Sequence, residues 1–168
     1  ESIEGKRGEP RFKPPYPPNE GLWSKPTIVN NVETYANIPV ILEKGADWYA
    51  GIGVASYPGT KVLTLTGDVV NRTFFEVPTD TTIRDVVFIF GGGVRDGKRF
   101  KAVQIGGTSG AFIPESLLDT RVAFDDMNAI GATLGSGATF VMDETRDIVD
   151  VVTRIMKFFE HESCGKCT

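Results

Sequence analysis

The feature that most constrains the fold of this 168-residue chain is a change of hydrophobic period that begins at Lys61. From there, side chains alternate with a period of two, which is typical of a strand, and a second short strand is predicted at Phe74–Val77, ahead of Pro78. The next apolar residues have helical spacing: Ile83, Val86, Val87 and Phe90. A third strand is predicted at Phe100–Ile105. The pattern therefore predicts two strands, one helix and a further strand.

A strand hairpin, one helix laid across it and then more strands is the order of a β-grasp module. A further short strand is expected near Val122–Phe124, and we assign Lys61 to about Met127 to the module. Thr82 and Asp85 resemble a capping box, with Asp in place of Glu, at the start of the helix. We expect this module to fold without its flanks, although its size is near the lower limit for a stable core.

A separate helix is predicted to begin in the run Asn30–Thr34, because asparagine side chains accept hydrogen bonds from free backbone N–H groups at a helix N-terminus. Pro39 should break or restart this helix, with Asn37 as a second cap, and Gly45 should end it. One more turn is expected at Ala46–Ala50. This helix precedes the β-grasp module.

Most of the 10 prolines lie in the first 27 residues, so this arm should be extended rather than helical. An arm packed on a globular surface and a recognition segment for another chain both fit its mixture of basic and aromatic residues. The whole chain has 18 basic and 22 acidic side chains, which argues against nonspecific nucleic-acid binding. No apolar run approaches the length of a membrane span, about 18 residues.

The chemical motif of the sequence is the C-x₂-C pair of Cys164 and Cys167. It follows a predicted strand at Ala138–Met142, a helix cap at Asp143 or Thr145, and the strongest helical stripe of the chain: Ile148, Val151, Val152, Ile155, Met156 and Phe159. Two thiolates at this spacing can bind one metal or cluster, or pair with each other. With one histidine and no second C-x₂-C, the sequence does not support a zinc site. No side chain is assigned a catalytic role.

Several specific runs occur together: Ser2–Arg11, Pro14–Pro17, Gly21–Trp23, Lys25–Thr34, Gly135–Gly137, Met142–Glu144 and Glu162–Thr168. In this order they resemble the flavin-bearing, NADH-oxidising subunit of respiratory complex I, a type that also occurs in NAD(P)-linked hydrogenases and formate dehydrogenases. The resemblance covers essentially the whole chain. It implies an excised piece of a longer subunit, with further cysteines beyond residue 168.

The resemblance implies an α+β fold in three parts. Residues 1–60 would be the tail of a Rossmann-like flavin domain with its proline-rich arm. Residues 61–130 would be the ubiquitin-like β-grasp domain, of the type called soluble-ligand-binding β-grasp (SLBB). Residues 131–168 would be a linker strand and the first helix of an iron–sulfur helical bundle.

The same resemblance implies the cofactors. Asn30, Asn31 and Thr34 would contact the phosphate and ribityl region of FMN, and a helix N-terminus suits an anion; from the residues alone, a simple capped helix is the alternative. Cys164 and Cys167 would be two of the four ligands of a [4Fe–4S] cluster. The intact subunit would carry electrons from NAD(P)H through FMN to the cluster, or the reverse. The glycine-rich flavin loop precedes the matched region, so we expect the 168 residues alone to bind no cofactor.

The implied partners are the other redox subunits of such a complex, including a [2Fe–2S] thioredoxin-like subunit, in the cytoplasm or on its side of a membrane, without direct membrane insertion. Two other functions stay open: a β-grasp module that binds a soluble ligand or docks another chain without its own activity, and a dithiol switch. The glycine-rich run 106–110 lacks the lysine of a phosphate-binding loop, so a turn between strands is expected there.

Overall fold

The computed structural model describes residues 1–166. The α-helices are α1 (Val32–Lys44), α2 (Ala46–Ala50), α3 (Phe124–Ala129) and α4 (Ile148–Glu162), and a π-helix spans Asp85–Phe90. The strands are β1 (Gly53–Val54), β2 (Tyr57–Pro58), β3 (Thr60–Gly67), β4 (Thr73–Pro78), β5 (Phe100–Ile105), β6 (Ala111–Pro114) and β7 (Ala138–Asp143). None of the described helices combines the length and the apolar character needed to cross a bilayer.

Five strands form one mixed sheet in the order β4-β3-β7-β5-β6. The pairs β3–β4 and β5–β6 are antiparallel, as is β5–β7, whereas β3 and β7 run parallel in the middle. The strands β1 and β2 form a separate two-stranded ladder. The chain is therefore a mixed α+β fold, and the strands expected at β3, β4 and β5 are confirmed.

The core lies on one face of the sheet because β3 alternates strictly. Leu63 and Leu65 are fully buried, while Thr64 between them is exposed. The same cluster includes residues of β5, β7, the π-helix and the helical residues before it: Val103, Ile105, Val141, Ile83, Val86 and Val87. The predicted capping box is confirmed, since the Thr82 N–H and hydroxyl both donate to the Asp85 carboxylate and the Asp85 N–H donates to the Thr82 hydroxyl.

The expected strand at Val122–Phe124 is wrong, and a strand at Ala111–Pro114 was not expected. Val122 is held by its N–H, which donates to the Thr81 carbonyl, and Phe124 begins α3. The real fourth partner, Ala111–Pro114, pairs with β5 after the glycine-rich turn. Ala111–Pro114 is a strand because it pairs with β5 across the turn, and an apolar run alone does not show such a pairing.

Strand β7 carries the sheet past the expected boundary at residue 130. The expected boundary at residue 130 left 131–168 as a linker strand and the start of a bundle, but Ala138–Asp143 pairs with β3 on one side and β5 on the other. The segment from Lys61 to about Met127 therefore lacks the middle strand of the sheet. In the sheet order, β7 lies between the two hairpins and pairs with both, so the sheet continues to residue 143.

Helix α1 begins and ends as expected but does not break in between. The Asn31 side chain accepts a hydrogen bond from the Glu33 N–H at 2.8 Å, and Gly45 ends the helix with φ of 91°. The expected break at Pro39 is wrong, and Asn37 is no cap, since its amide donates to the Glu33 carbonyl. None of the α1 side chains is buried, so water can reach the backbone carbonyl that proline leaves without a donor.

Helix α4 confirms the predicted stripe, but its cap is neither Asp143 nor Thr145. The Asp147 carboxylate accepts from the Val149 N–H at 2.8 Å and from the Asp150 N–H at 3.4 Å. Asp143 is engaged elsewhere, and no side chain of α4 is buried.

Candidate functional site

The predicted flavin residues lie at the N-terminus of α1, beside a cleft of about 420 Å³. Asn31 and Thr34 line this cleft, together with residues of the sheet module: Tyr57, Lys61, Phe124, Met127, Thr133, Leu134 and Gly135. Asn30 is exposed next to them and is not among the lining residues. The structure thus places two of the three predicted side chains in one concave site.

An ion pair fixes this end of α1 against β3. The Glu33 carboxylate accepts from the Lys61 ammonium at 3.2 Å and from the Val62 N–H at 3.0 Å. Burial alone would lower the pKa of Lys61, but the hydrogen bond and charge of Glu33 outweigh burial and raise that pKa. Lys61 therefore stays charged beside the N-terminus of α1, and its charge is balanced by Glu33, which lines the same cleft. The free backbone N–H groups at the start of α1 are the feature that suits an anionic group such as a phosphate.

The predicted cluster ligands lie after α4. Cys164 is a free, exposed cysteine, and Cys167 lies outside the described residues. Within residues 1–166, no group of three or more metal-ligating His, Cys, Asp or Glu side chains occurs. One exposed thiol fits a cluster's donor chemistry without completing a ligand set, which needs four thiolates.

The proline-rich arm contacts the cysteine loop, which the sequence did not reveal. The Lys166 ammonium donates to the Pro10 carbonyl and lies 5.9 Å from the centroid of the Phe12 ring. The arm is also tied to itself, since the Glu4 carboxylate accepts from the Trp23 N–H and pairs with Arg11. No hydrogen bond or ion pair in the described part of the chain links this loop to Asn31 or Thr34.

Two buried carboxylates at the ends of the inner strands β3 and β7 were also not predicted from the sequence. Asp68 is 1% exposed and accepts from Arg146 through Nε at 2.6 Å and Nη2 at 2.7 Å, and from Arg95 Nη2 at 3.1 Å. The Arg146 hydrogen bonds hold the pKa of Asp68 below its usual range against the opposing effect of burial. Hydrogen bonds from Thr145 and Lys98 lower the pKa of Asp143 to about 2.

These carboxylates lie at one end of a cleft of about 860 Å³ between the open sheet face and α4. Phe140 and Gln104 line it from the sheet, and Val151 and Ile155 line it from the helix. The glycine-rich run 106–110 is a turn between β5 and β6, as expected, and Gln104 closes it by donating to the Thr108 and Gly110 carbonyls.

No protein-family model matches the chain. It is 50% identical over 167 residues to the NADP-reducing hydrogenase subunit HndC of Solidesulfovibrio fructosivorans, which covers 99% of this chain and 34% of that protein. It is 45% identical to the F 2 subunit of the NADH-quinone oxidoreductase of Rhizobium meliloti, over 100% of this chain and 40% of that one. The F subunit of the Escherichia coli K12 enzyme is 42% identical, with 99% and 38% covered. The chain thus spans between 34% and 40% of the length of these relatives.

The solved structures agree. A crystal structure of an NAD⁺-reducing [NiFe]-hydrogenase in the air-oxidised state matches with a TM-score of 0.84 and 37% identity, over 99% of this chain and 28% of the hydrogenase chain. The H₂-reduced state matches with a TM-score of 0.83. The chain is therefore homologous to one segment of the oxidoreductase subunits that include the F subunit of NADH-quinone oxidoreductase and the NADP-reducing hydrogenase subunit HndC.

Proposed function

We propose that this chain is the segment of an NAD(P)H oxidoreductase subunit that joins its flavin site to its iron–sulfur cluster. The observation that carries the proposal is the match along the whole chain, at 50% and 45% identity, to subunits of an NADP-reducing hydrogenase and an NADH-quinone oxidoreductase. The direction of electron flow follows the complex: away from NAD(P)H in a respiratory enzyme, toward NAD(P)⁺ in a hydrogenase.

Asn30, Asn31 and Thr34 would hold the phosphate and ribityl part of FMN. When bound, FMN exchanges a hydride with the nicotinamide and single electrons with a cluster. The chain's own contribution is one wall of the pocket: the exposed start of α1, a hydroxyl and amides, and the charged Lys61. The Asn31 Oδ1 atom is committed to the Glu33 N–H, so Asn31 would offer its amide N–H₂ group.

Cys164 and Cys167 would supply two of the four thiolates of a [4Fe–4S] cluster. Support comes from the exposure of the Cys164 thiol and from its place directly after α4, with the Lys166 ammonium two residues on. The exposed apolar side of α4 would face the remaining bundle helices.

The sheet would be a β-grasp domain of the SLBB type. Support comes from the strand order, in which two hairpins flank a central strand parallel to the first, with the π-helix segment across the core face. We propose the three-part division expected above with its second boundary moved: flavin-domain tail at 1–60, β-grasp domain to residue 143, and bundle start beyond it. The partners would be other redox subunits, including a [2Fe–2S] thioredoxin-like one.

A second candidate is that the β-grasp domain binds a soluble ligand. The cleft of about 860 Å³ favours it, because a volume of that size holds a small organic molecule and its walls mix an aromatic ring, amides and charged groups. A bulky Gln104→Trp substitution, which would fill the cleft, tests this second candidate in a subunit of the relatives' length. A ligand role of the cleft predicts that the variant loses the ligand and keeps its redox activity.

The flavin proposal is tested in a subunit of the relatives' length. Asn30→Ala with Thr34→Val would remove two of the proposed hydrogen bonds to FMN, each about 1 kcal/mol, so the FMN dissociation constant should rise about 30-fold. Thr64→Val, an exposed threonine on the sheet, is the matched control and should leave FMN binding unchanged. Equal affinity of the double variant and the control, measured by flavin fluorescence, would remove the assignment.

A further inference from the structure

Helix α4 is held to the sheet at its start and not along its length. Within residues 1–166, no hydrogen bond or ion pair joins Ile148–Glu162 to the sheet; its polar contacts are to itself and to the cap, such as Arg154 with Asp150. Val151 and Ile155 face the cleft of about 860 Å³ and are only half-buried. Beyond its start, the helix therefore has no polar attachment to the sheet within the described residues.

The junction just before α4 is, by contrast, densely bonded. Arg146 binds both oxygens of Asp68, its guanidinium lies 5.7 Å from the Phe140 ring centroid, and its carbonyl accepts from Lys101. Lys98 pairs with Asp143 at 3.1 Å on the other side. The two-pronged contact fixes the direction of the Arg146 side chain as well as its position.

Asp68 is the centre of this junction. It is fully buried at the end of β3, with Arg146 on one side and Arg95 on the other, and its second oxygen also accepts from the Asp143 N–H at 3.3 Å. One carboxylate thus connects β3, β7, the 95–97 turn and the start of α4. A neutral side chain there would leave two guanidinium groups without their shared counter-charge.

We propose that Asp68 is a positioning residue that sets the direction of α4 and, through it, the location of the Cys164 loop. Helix α4 has 15 residues and is about 22 Å long, so a rotation of about 10° at the junction moves its far end by about 4 Å. That the direction of α4 matters for a cluster rests on the proposed function. That Asp68 sets this direction rests on its contacts alone.

The distal contact of the loop is weaker. Lys166 contacts the arm at Pro10 and Phe12. All three residues are exposed. Exposed charged contacts of this kind contribute little. We therefore assign the direction of α4 to Asp68 and not to the arm.

The test is a distance measured between two spin labels in the present chain. One label is carried by Cys164, which is exposed, with Cys167→Ser removing the second thiol; the other is carried by the Phe74→Cys substitution on the exposed edge strand β4. Double electron–electron resonance then compares the parent with Asp68→Asn. We expect a narrow distribution in the parent and, in Asp68→Asn, a mean shifted by about 4 Å or a width at least doubled.

Asp119→Asn is the matched control, because Asp119 also pairs with an arginine, Arg84, but at the surface. Its distance distribution should equal that of the parent. If Asp68→Asn does not fold, Arg146→Gln removes the Arg146–Asp68 contact from the helix side. This variant must then show the shifted or broadened distance distribution expected of Asp68→Asn. An unchanged distribution in the folded variant overturns the proposal, as does a broadening in Lys166→Ala alone. The two proposals can fail separately. If α4 moves in Asp68→Asn but the cluster of the longer subunit survives Cys164→Ser, the role of Asp68 stands and the ligand assignment is rejected.

Discussion

At the scale of single residues, Asp143 is a buried carboxylate whose charged form the fold stabilises. Its pKa of about 2 lies below the usual 3.8, chiefly because Thr145 donates to it. A depressed folded-state pKa contributes stability that is present above about pH 4 and is lost as the pH falls toward 2. Asp68 acts in the same direction.

We therefore expect wild-type protein to lose stability between pH 4 and pH 2 more steeply than Asp143→Asn. Urea midpoints at pH 6, 4 and 2.5 measure the difference. Asp125→Asn, an exposed carboxylate, is the control and should follow the wild type. If the urea midpoints of Asp143→Asn and wild type fall in parallel with pH, the contacts of Asp143 do not lower its pKa in the folded protein.

Gly67 is the second residue on which the sheet depends. It has φ of 90°, and a Cβ there would overlap the Val141 carbonyl of the central strand. Gly67→Ala should cost about 3 kcal/mol or more, since backbone strain adds to displacement of a strand pair. Gly131→Ala has the same strain, φ of 71°, but open space, and should cost about 1 kcal/mol. Equal losses of unfolding free energy in denaturant titrations would contradict this explanation.

The sequence predicted residues whose roles are local and missed those whose partners are distant. The Asn31 cap, the Gly45 stop and the Thr82–Asp85 box each bond within a few residues, so their types and spacing suffice. Asp68 binds Arg146, 78 residues later, and no spacing rule connects them. The Lys166 contact with the arm spans 156 residues and was equally invisible.

At the scale of elements, β7 decides where the sheet ends. The alternating pattern at 138–142 predicted a strand, but a pattern gives no information about which strands it joins. Pairing with both β3 and β5 makes it the strand that unites the two hairpins. Similarly, Pro39 stays inside α1 because an exposed helix tolerates a lost hydrogen bond, at a cost that propensity alone overstated.

A fragment test follows from β7. Residues 53–147 should give dispersed amide NMR signals, whereas residues 53–134, which keep every other strand, should not. The reason is that the shorter fragment exposes the inner edges of β3 and β5 and loses Val141 from the core. A dispersed spectrum of the shorter fragment would mean that the hairpins associate without their central strand.

At the scale of the whole molecule, two helices present apolar side chains to solvent. Val32 at the start of α1 is 82% exposed and Val149 at the start of α4 is 74% exposed. Since the relatives are at least twice as long as this chain, we propose that other parts of such a subunit cover these faces. The chain carries one wall of each proposed cofactor site.

This partial site predicts weak flavin binding by the 168 residues alone. The described residues supply the start of α1 and Lys61 to the proposed phosphate position, which is one wall of a pocket. FMN titrated into this chain should therefore show a dissociation constant well above micromolar by fluorescence quenching. Tight one-to-one binding would show that the pocket is complete without further chain.

The central claim is that Cys164 and Cys167 bind a cluster that exchanges electrons with the flavin. The most direct test is electron paramagnetic resonance of a reduced subunit of the relatives' length, comparing Cys164→Ser with Ser163→Ala as the neighbouring control. We expect Cys164→Ser to abolish one cluster signal while FMN stays bound, because a missing thiolate breaks the four-cysteine set and leaves the start of α1 intact. An unchanged cluster spectrum in Cys164→Ser would contradict the claim.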